Sequence, residues 1–333
     1  MTPTSRLARG APIVAACFGL MVLAVLVAPF VGSTHISPAR VFSHAVPFDE
    51  NVDAQIFFLA RLPRAIAAAL VGGTLAAAGV VFQGLLRNPL ATPYTLGVDA
   101  GASLGAMIAI AFGAALPFGS VAAASLAGAV VAVGIVYALA NARHRGLSTT
   151  VLLLSGVTLN AFFSALILFV QYLSDFAETY RALRWLMGDL DVASYAPIVA
   201  ALPFVVIAFV AFAWLARPLN LLSLGADAAG ARGLNVNRAQ RLAFLSGSLA
   251  TGAAVSVGGP IGFVGIIVPH LVRLIVGADH RLVLPASTFF GAAFLVGCDV
   301  VARTALSPLE LPVGVITAIL GGPFFLWLLL KKH

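Results

Sequence analysis

Arg61-Leu-Pro-Arg-Ala-Ile-Ala-Ala-Ala-Leu-Val-Gly-Gly-Thr-Leu-Ala-Ala-Ala-Gly79 opens with two arginines three residues apart and then carries no charge until Arg87. About 20 apolar residues, rising 1.5 Å each, cross the hydrocarbon core of a bilayer, so the run reads as a membrane helix. Its glycines and alanines suit a helix packed closely against others in lipid. The rest of the chain repeats the signal: of 333 residues, 61% are hydrophobic and only 9% are charged, with a mean hydropathy of +1.05. Such a balance excludes a water-soluble globular domain and predicts an all-α polytopic membrane protein, a single transmembrane domain over residues 1–333.

Working outward, ten spans are predicted, at 11–31, 62–84, 93–115, 119–140, 148–171, 193–215, 242–258, 260–277, 282–302 and 313–330. Only Gly258, Gly259 and Pro260 divide the seventh from the eighth, and Pro269 interrupts the eighth. The first span follows Arg6 and Arg9 without a small-residue cleavage site and reads as an anchor. With the N-terminus inside, 13 of the 19 basic residues fall in the cytoplasm, leaving Arg40, Arg61, Arg64, Arg181, Arg184 and Arg303 outside. Asp49, Glu50, Asp53, Asp175, Glu178, Asp189, Asp191 and Glu310 also fall outside. That is the positive-inside distribution, and it puts both termini in the cytoplasm. The net charge of +7 is scattered over loops without interleaved aromatics, so no nucleic-acid partner is expected.

Much chemistry is absent. The only lysines are Lys331 and Lys332, so there is no phosphate-binding Gly-x-x-x-x-Gly-Lys loop and no ATPase in this chain. No metal-ligand spacing, nucleophile elbow or disulfide framework is present, Cys17 and Cys298 both lying in apolar spans. The expectation is a non-enzyme that carries no cofactor or metal. Asp99, Asp299, His270 and Arg273 are the ionisable residues nearest the membrane interior, and a proton-coupled carrier would have to use Asp99 or Asp299.

Two other features stand out. The inner loop 216–241 contains Gly225-Ala-Asp-Ala-Ala-Gly-Ala-Arg-Gly233, read as a short helix stopped at Gly233, and Asn237-Arg-Ala-Gln240 has capping-box spacing for the seventh span. Arg61, Arg64 and Arg303 break the charge rule, and the first two, around Pro63 at a helix start, also oppose the helix dipole. Either they snorkel to lipid or pair with Asp49, Glu50, Asp53 or Glu310, or they form a dock for an acidic partner.

The quoted run, together with Gln83-Gly-Leu-Leu-Arg-Asn-Pro-Leu-Ala91, Leu96-Gly-Val-Asp-Ala-Gly-Ala102, Trp185-Leu-Met-Gly188, Gly262-Phe-Val-Gly-Ile-Ile-Val-Pro-His-Leu-Val-Arg273, Asp279-His-Arg281 and Glu310-Leu-Pro-Val-Gly-Val-Ile-Thr-Ala-Ile-Leu-Gly-Gly-Pro323, resembles the iron-siderophore, haem and cobalamin importer permeases. The resemblance runs in order from about residue 55 to the C-terminus. It implies a type II ABC importer permease: ten spans, a homodimer, two separate ATP-binding cassette subunits that hold ATP and magnesium, and a periplasmic or lipid-anchored substrate-binding protein. It further implies that Arg61, Arg64 and Arg303 dock the binding protein. Gly225, Asp227, Ala228, Ala229 and Gly233 would couple to the ATPase. The translocation path would lie at the dimer axis, lined chiefly by the fifth and tenth spans; on the fifth, Gly156, Asn160 and Ser164 recur at spacing four, a pattern ordinary helix packing explains equally well. Trp185 and Met187 would stand in the outer loop near the channel mouth or act as interfacial anchors. The implied cargo is a metal chelate, ferric siderophore first.

Overall fold

The computed structural model describes residues 3–43, 46–113, 120–142, 148–192 and 194–331. Arg143, Arg145 and Lys332, used in the charge count, lie outside them. Within the described residues the chain is helical, with no strand. Ten helices follow the predicted spans in order: α1 (Pro3–Val27), α4 (Leu62–Leu86), α5 (Val98–Phe112), α6 (Val121–Asn141), α7 (Thr149–Leu173), α9 (Ala196–Leu222), α11 (Val236–Gly258), α12 (Val264–Val276), α13 (His280–Thr304) and α14 (Val313–Lys331). Six stretches are long and apolar enough to cross a bilayer unaided, whereas α5, α12 and Val313–Trp327 are shorter apolar helices. Four small α-helices stand beside these among the described residues: α2 (Pro38–Val41), α3 (Val52–Gln55), α8 (Phe176–Leu186) and α10 (Ala226–Ala231).

Helix α4 forms the post around which the others stand, touching α9, α11, α12 and α13. Its small residues make this possible. A Cβ at Gly72 would lie 2.4 Å from the Gly291 carbonyl oxygen of α13, and one at Gly79 would lie 2.1 Å from that of Gly265 in α12. Backbone therefore meets backbone along both crossings, which multiplies dispersion contacts without side-chain ordering. By contrast α7 leaves Leu154, Leu168 and Phe169 more than half exposed, and α14 does the same with Leu326 and Trp327. Apolar faces of this extent are covered by lipid or by another chain.

Several local expectations need correction. The second span does not begin at residue 62: the helix runs back through a π-turn (Ile56–Arg61) to Val52. Arg61 and Arg64 are therefore interior to a long helix, and the dipole penalty expected of a helix start does not fall on them. Pro63 has no N–H to offer the Phe58 carbonyl, and the Tyr195 hydroxyl donates to it instead at 3.1 Å. The sixth span extends to Leu222, which shortens the inner loop. The cap of α11 is Asn235, whose side chain accepts from the Arg238 amide at 3.0 Å, rather than Asn237. Trp185 lies within α8, a surface helix with a complete Asp175/Glu178 capping box; the Asp-x-x-Glu spacing was there to be read.

Candidate functional site

The three irregular arginines converge. Arg64 donates from Nε to Asp299 Oδ1 at 2.8 Å and from Nη1 to Glu310 Oε2 at 2.6 Å. Arg303, one turn beyond Asp299 on α13, donates from Nε to the other carboxylate oxygen at 3.0 Å. Its remaining nitrogens reach the carbonyls of Val31 (3.0 Å) and Ala28 (3.3 Å). Arg61 joins from the π-turn, donating to the Pro29 carbonyl at 3.2 Å and the Thr34 carbonyl at 2.6 Å.

These carbonyls belong to the tight turn (Ala28–Phe30) and the bend that follow the C-terminus of α1, where a helix dipole is negative. Cations that look misplaced on their own helices are thus well placed against a neighbour's C-terminus. Gly32 permits this approach, since a Cβ there would lie 2.6 Å from Arg61 Nη2. Asp299 is 1% exposed, and both of its oxygens are engaged. Of the acids suggested by proximity in sequence only Glu310 is a partner; Asp53 accepts from the Ser37 amide instead. Three cations against two carboxylates leave one net positive charge, and Glu310, 42% exposed, is the member nearest solvent.

The other candidates lie apart from this cluster. At the opposite end of the bundle, the inner end in the expected orientation, α10 is anchored by a fully buried Ala229 and turns Asp227 outward, with Ala228 half-buried. Gly225 and Gly233 bracket it at φ +107° and +82°, values that favour glycine. The Gly233 amide bonds to Gly230 and the Leu234 amide to Ala229, the Schellman closure expected at that glycine. On α7, Gly156 is buried against the turn before α5, where a Cβ would lie 2.5 Å from the Thr95 carbonyl oxygen. Asn160 is half-buried and Ser164 is exposed. Asp99 lies in the first turn of α5, and its Oδ1 has no hydrogen-bond partner among the described residues.

A second polar cluster, which sequence reading did not assemble, closes the inner end. Asn220 Nδ2 donates to Asp279 Oδ1 at 2.7 Å, and Asn220 Oδ1 accepts from the His280 amide at 2.9 Å. Arg281 grips both Asp279 oxygens, the closest contact being 2.8 Å. The Arg281 guanidinium, helped by Asn220, holds the Asp279 carboxyl down at about 2 against the desolvation that would raise it. Sequence carried a partial signal in Asp279-His-Arg281, but Asn220 is 59 residues away.

The comparisons accord with this architecture. A family model described as the FecCD transport family matches residues 20–331. The cobalamin import system permease protein BtuC of Halobacterium salinarum is 44% identical over 300 residues, covering 89% of this chain and 80% of that one. The hemin transport system permease protein HmuU of Yersinia pestis is 36% identical over 320 residues, covering 94% and 95%. A solved structure described as an inward-facing conformation of an ABC transporter assigned to the metal-chelate type superposes with a TM-score of 0.81 at 30% identity, covering 97% of this chain and 99% of that one.

Proposed function

Because the chain belongs to the FecCD transport family and is an ABC importer permease, not itself an enzyme, we propose that two copies form an inward path for a metal chelate. A binding protein would deliver the chelate at the outer face, and separate ATPase subunits would drive its passage from the inner face. Both termini are placed in the cytoplasm on the charge distribution. Exposed apolar faces on α7 and α14, the fifth and tenth spans, support pairing there, with the path between the copies. Asp227, presented outward on a firmly anchored α10, supports coupling to the ATPase at residues 225–233.

The observation that carries the docking assignment is the convergence of Arg61, Arg64 and Arg303 on one spot with net positive charge. A partner's carboxylate would compete with Glu310 for Arg64, a bidentate exchange that suits arginine. The cargo proposed is a ferric siderophore. A corrinoid is the second reading, favoured by the 44% identity to a permease named for cobalamin, and haem is the third. The carrier alternative loses one of its two acids, because both Asp299 oxygens are held by arginines.

Uptake decides between these readings. Cells lacking this permease should fail to accumulate one of labelled ferric siderophore, cyanocobalamin or haemin and regain it on complementation. Import by the purified chain alone in proteoliposomes without ATP would overturn the ABC reading.

A further inference from the structure

Between α9 and α13 lies a cavity of about 370 Å³. Its walls are apolar, formed by Phe209, Phe212 and Ala216 from α9 and by Leu284 and Pro285 from α13. Pro285 offers no amide to the carbonyl one turn earlier, which loosens α13 at this point and keeps a furrow open. Each wall runs through two turns, so the furrow is roughly 10 Å long. It is open to the apolar surroundings along its length and ends in charge.

That end is basic. Arg281 lines it, with Nε and Nη2 on Asp279 and Nη1 left over. Arg217, one turn beyond Ala213 on the same face of α9, is exposed and forms no ion pair among the described residues. Arg273 stands within electrostatic reach of His280, which also lines the furrow. Asp279 offsets one of these three arginines, leaving a net positive mouth above an apolar slot.

We propose that the furrow binds an anionic glycerophospholipid of the inner leaflet, an acyl chain lying along Phe209, Phe212 and Leu284 and the headgroup phosphate meeting Arg281 and Arg217. The occupant follows from the chemistry. An acyl chain needs the apolar slot and a phosphate needs the cations, whereas a free anion would gain nothing from the slot. The leaflet rests on the orientation proposed above; the site itself does not.

The test uses the full chain with Trp185→Phe, Trp214→Phe and Trp327→Phe and with Phe209→Trp as the single reporter in the furrow wall, in symmetric proteoliposomes. Brominated phosphatidylglycerol should quench this reporter more strongly than brominated phosphatidylcholine at equal mole fraction. The difference should shrink in Arg217→Gln, in Arg281→Gln, and in Ala216→Leu, which fills the slot without touching a charge. Equal quenching by the two lipids overturns the proposal, as does a preference that survives all three substitutions. Symmetric vesicles read the furrow whichever way the chain inserts, so a wrong orientation leaves the result standing.

Discussion

Arg64 and Asp299 stand 235 residues apart in the chain and are joined, Nε to Oδ1, at 2.8 Å in a buried environment. The bond ties α4 to α13, and Arg303 on the far oxygen carries the tie on to the turn after α1. Removing one member of a buried pair costs more than the pair contributes, because the survivor stays desolvated.

Asp299→Asn should therefore destabilise by about 3–5 kcal/mol, leaving Arg64 and Arg303 without their buried shared carboxylate and only the half-exposed Glu310 beside Arg64. Thermal unfolding of the detergent-purified chain checks this. An unchanged midpoint would mean that the cluster does not fasten α4 to α13.

Glu310→Gln should act in the opposite sense on partner binding. It frees Arg64 Nη1 while the buried Asp299 contact persists, so a binding protein that docks through carboxylates should bind several-fold more tightly at low salt. The gain should fade as salt screens the exposed site. Unaltered affinity in a titration would assign the arginines a purely internal role.

The α4–α13 crossing should tolerate no side chain. A leucine Cβ at Gly72 would stand 2.4 Å from the Gly291 carbonyl oxygen and 2.6 Å from the Leu295 Cβ, so Gly72→Leu should cost at least about 1–3 kcal/mol. Gly19→Leu is the control: nothing lies within 4 Å there, and its effect should stay within about 0.5 kcal/mol. Equal melting of the two variants would contradict the backbone contact.

At the inner end, Asp279 has a folded pKa of about 2, below its ordinary value of about 3.9. A depressed carboxyl contributes stability above the unfolded pKa and loses it as pH falls through the folded one. The wild type should hold a constant advantage over Asp279→Asn from neutral pH to about 4 and lose it towards pH 2. Parallel melting curves across that window would show that Arg281 does not hold the charge.

Asp227→Arg combined with Gly233→Pro should weaken ATPase association. Gly233 sits at φ +82°, which proline cannot adopt, so the α10 closure breaks. Retained co-purification and transport would exclude residues 225–233 from coupling.

Legibility varied with the range of the interaction. The apolar runs marked most of the helices in order, since bilayer thickness writes itself into composition, and Gly233 announced its own closure. The start of the second helix was hidden because Arg61 and Arg64 interrupt its apolar pattern: residues 56–60 are apolar, but the run is only five long and follows the polar Asp53 and Gln55. The arginines were recognisable as exceptions and Glu310 as a candidate partner, yet the other acceptors were not: the carbonyls of Ala28, Pro29, Val31 and Thr34 have no side-chain signature. Nor does any period join Asn220 to Asp279, so the inner cluster was visible only once α9 and α13 were side by side.

The glycine crossings of α4 also set limits on motion. Interleaved side chains can exchange rotamers and let helices slide, but touching backbones have no such slack. α4, α12 and α13 are therefore expected to travel as one block, with any opening taken up by α7, α8 and α14. Spin-label distances should stay fixed within the block and broaden across its edge when ATPase subunits bind nucleotide. A transporter assembled this way keeps a rigid frame and confines its hinges to the periphery, so that its smallest residues determine which parts of the machine can move.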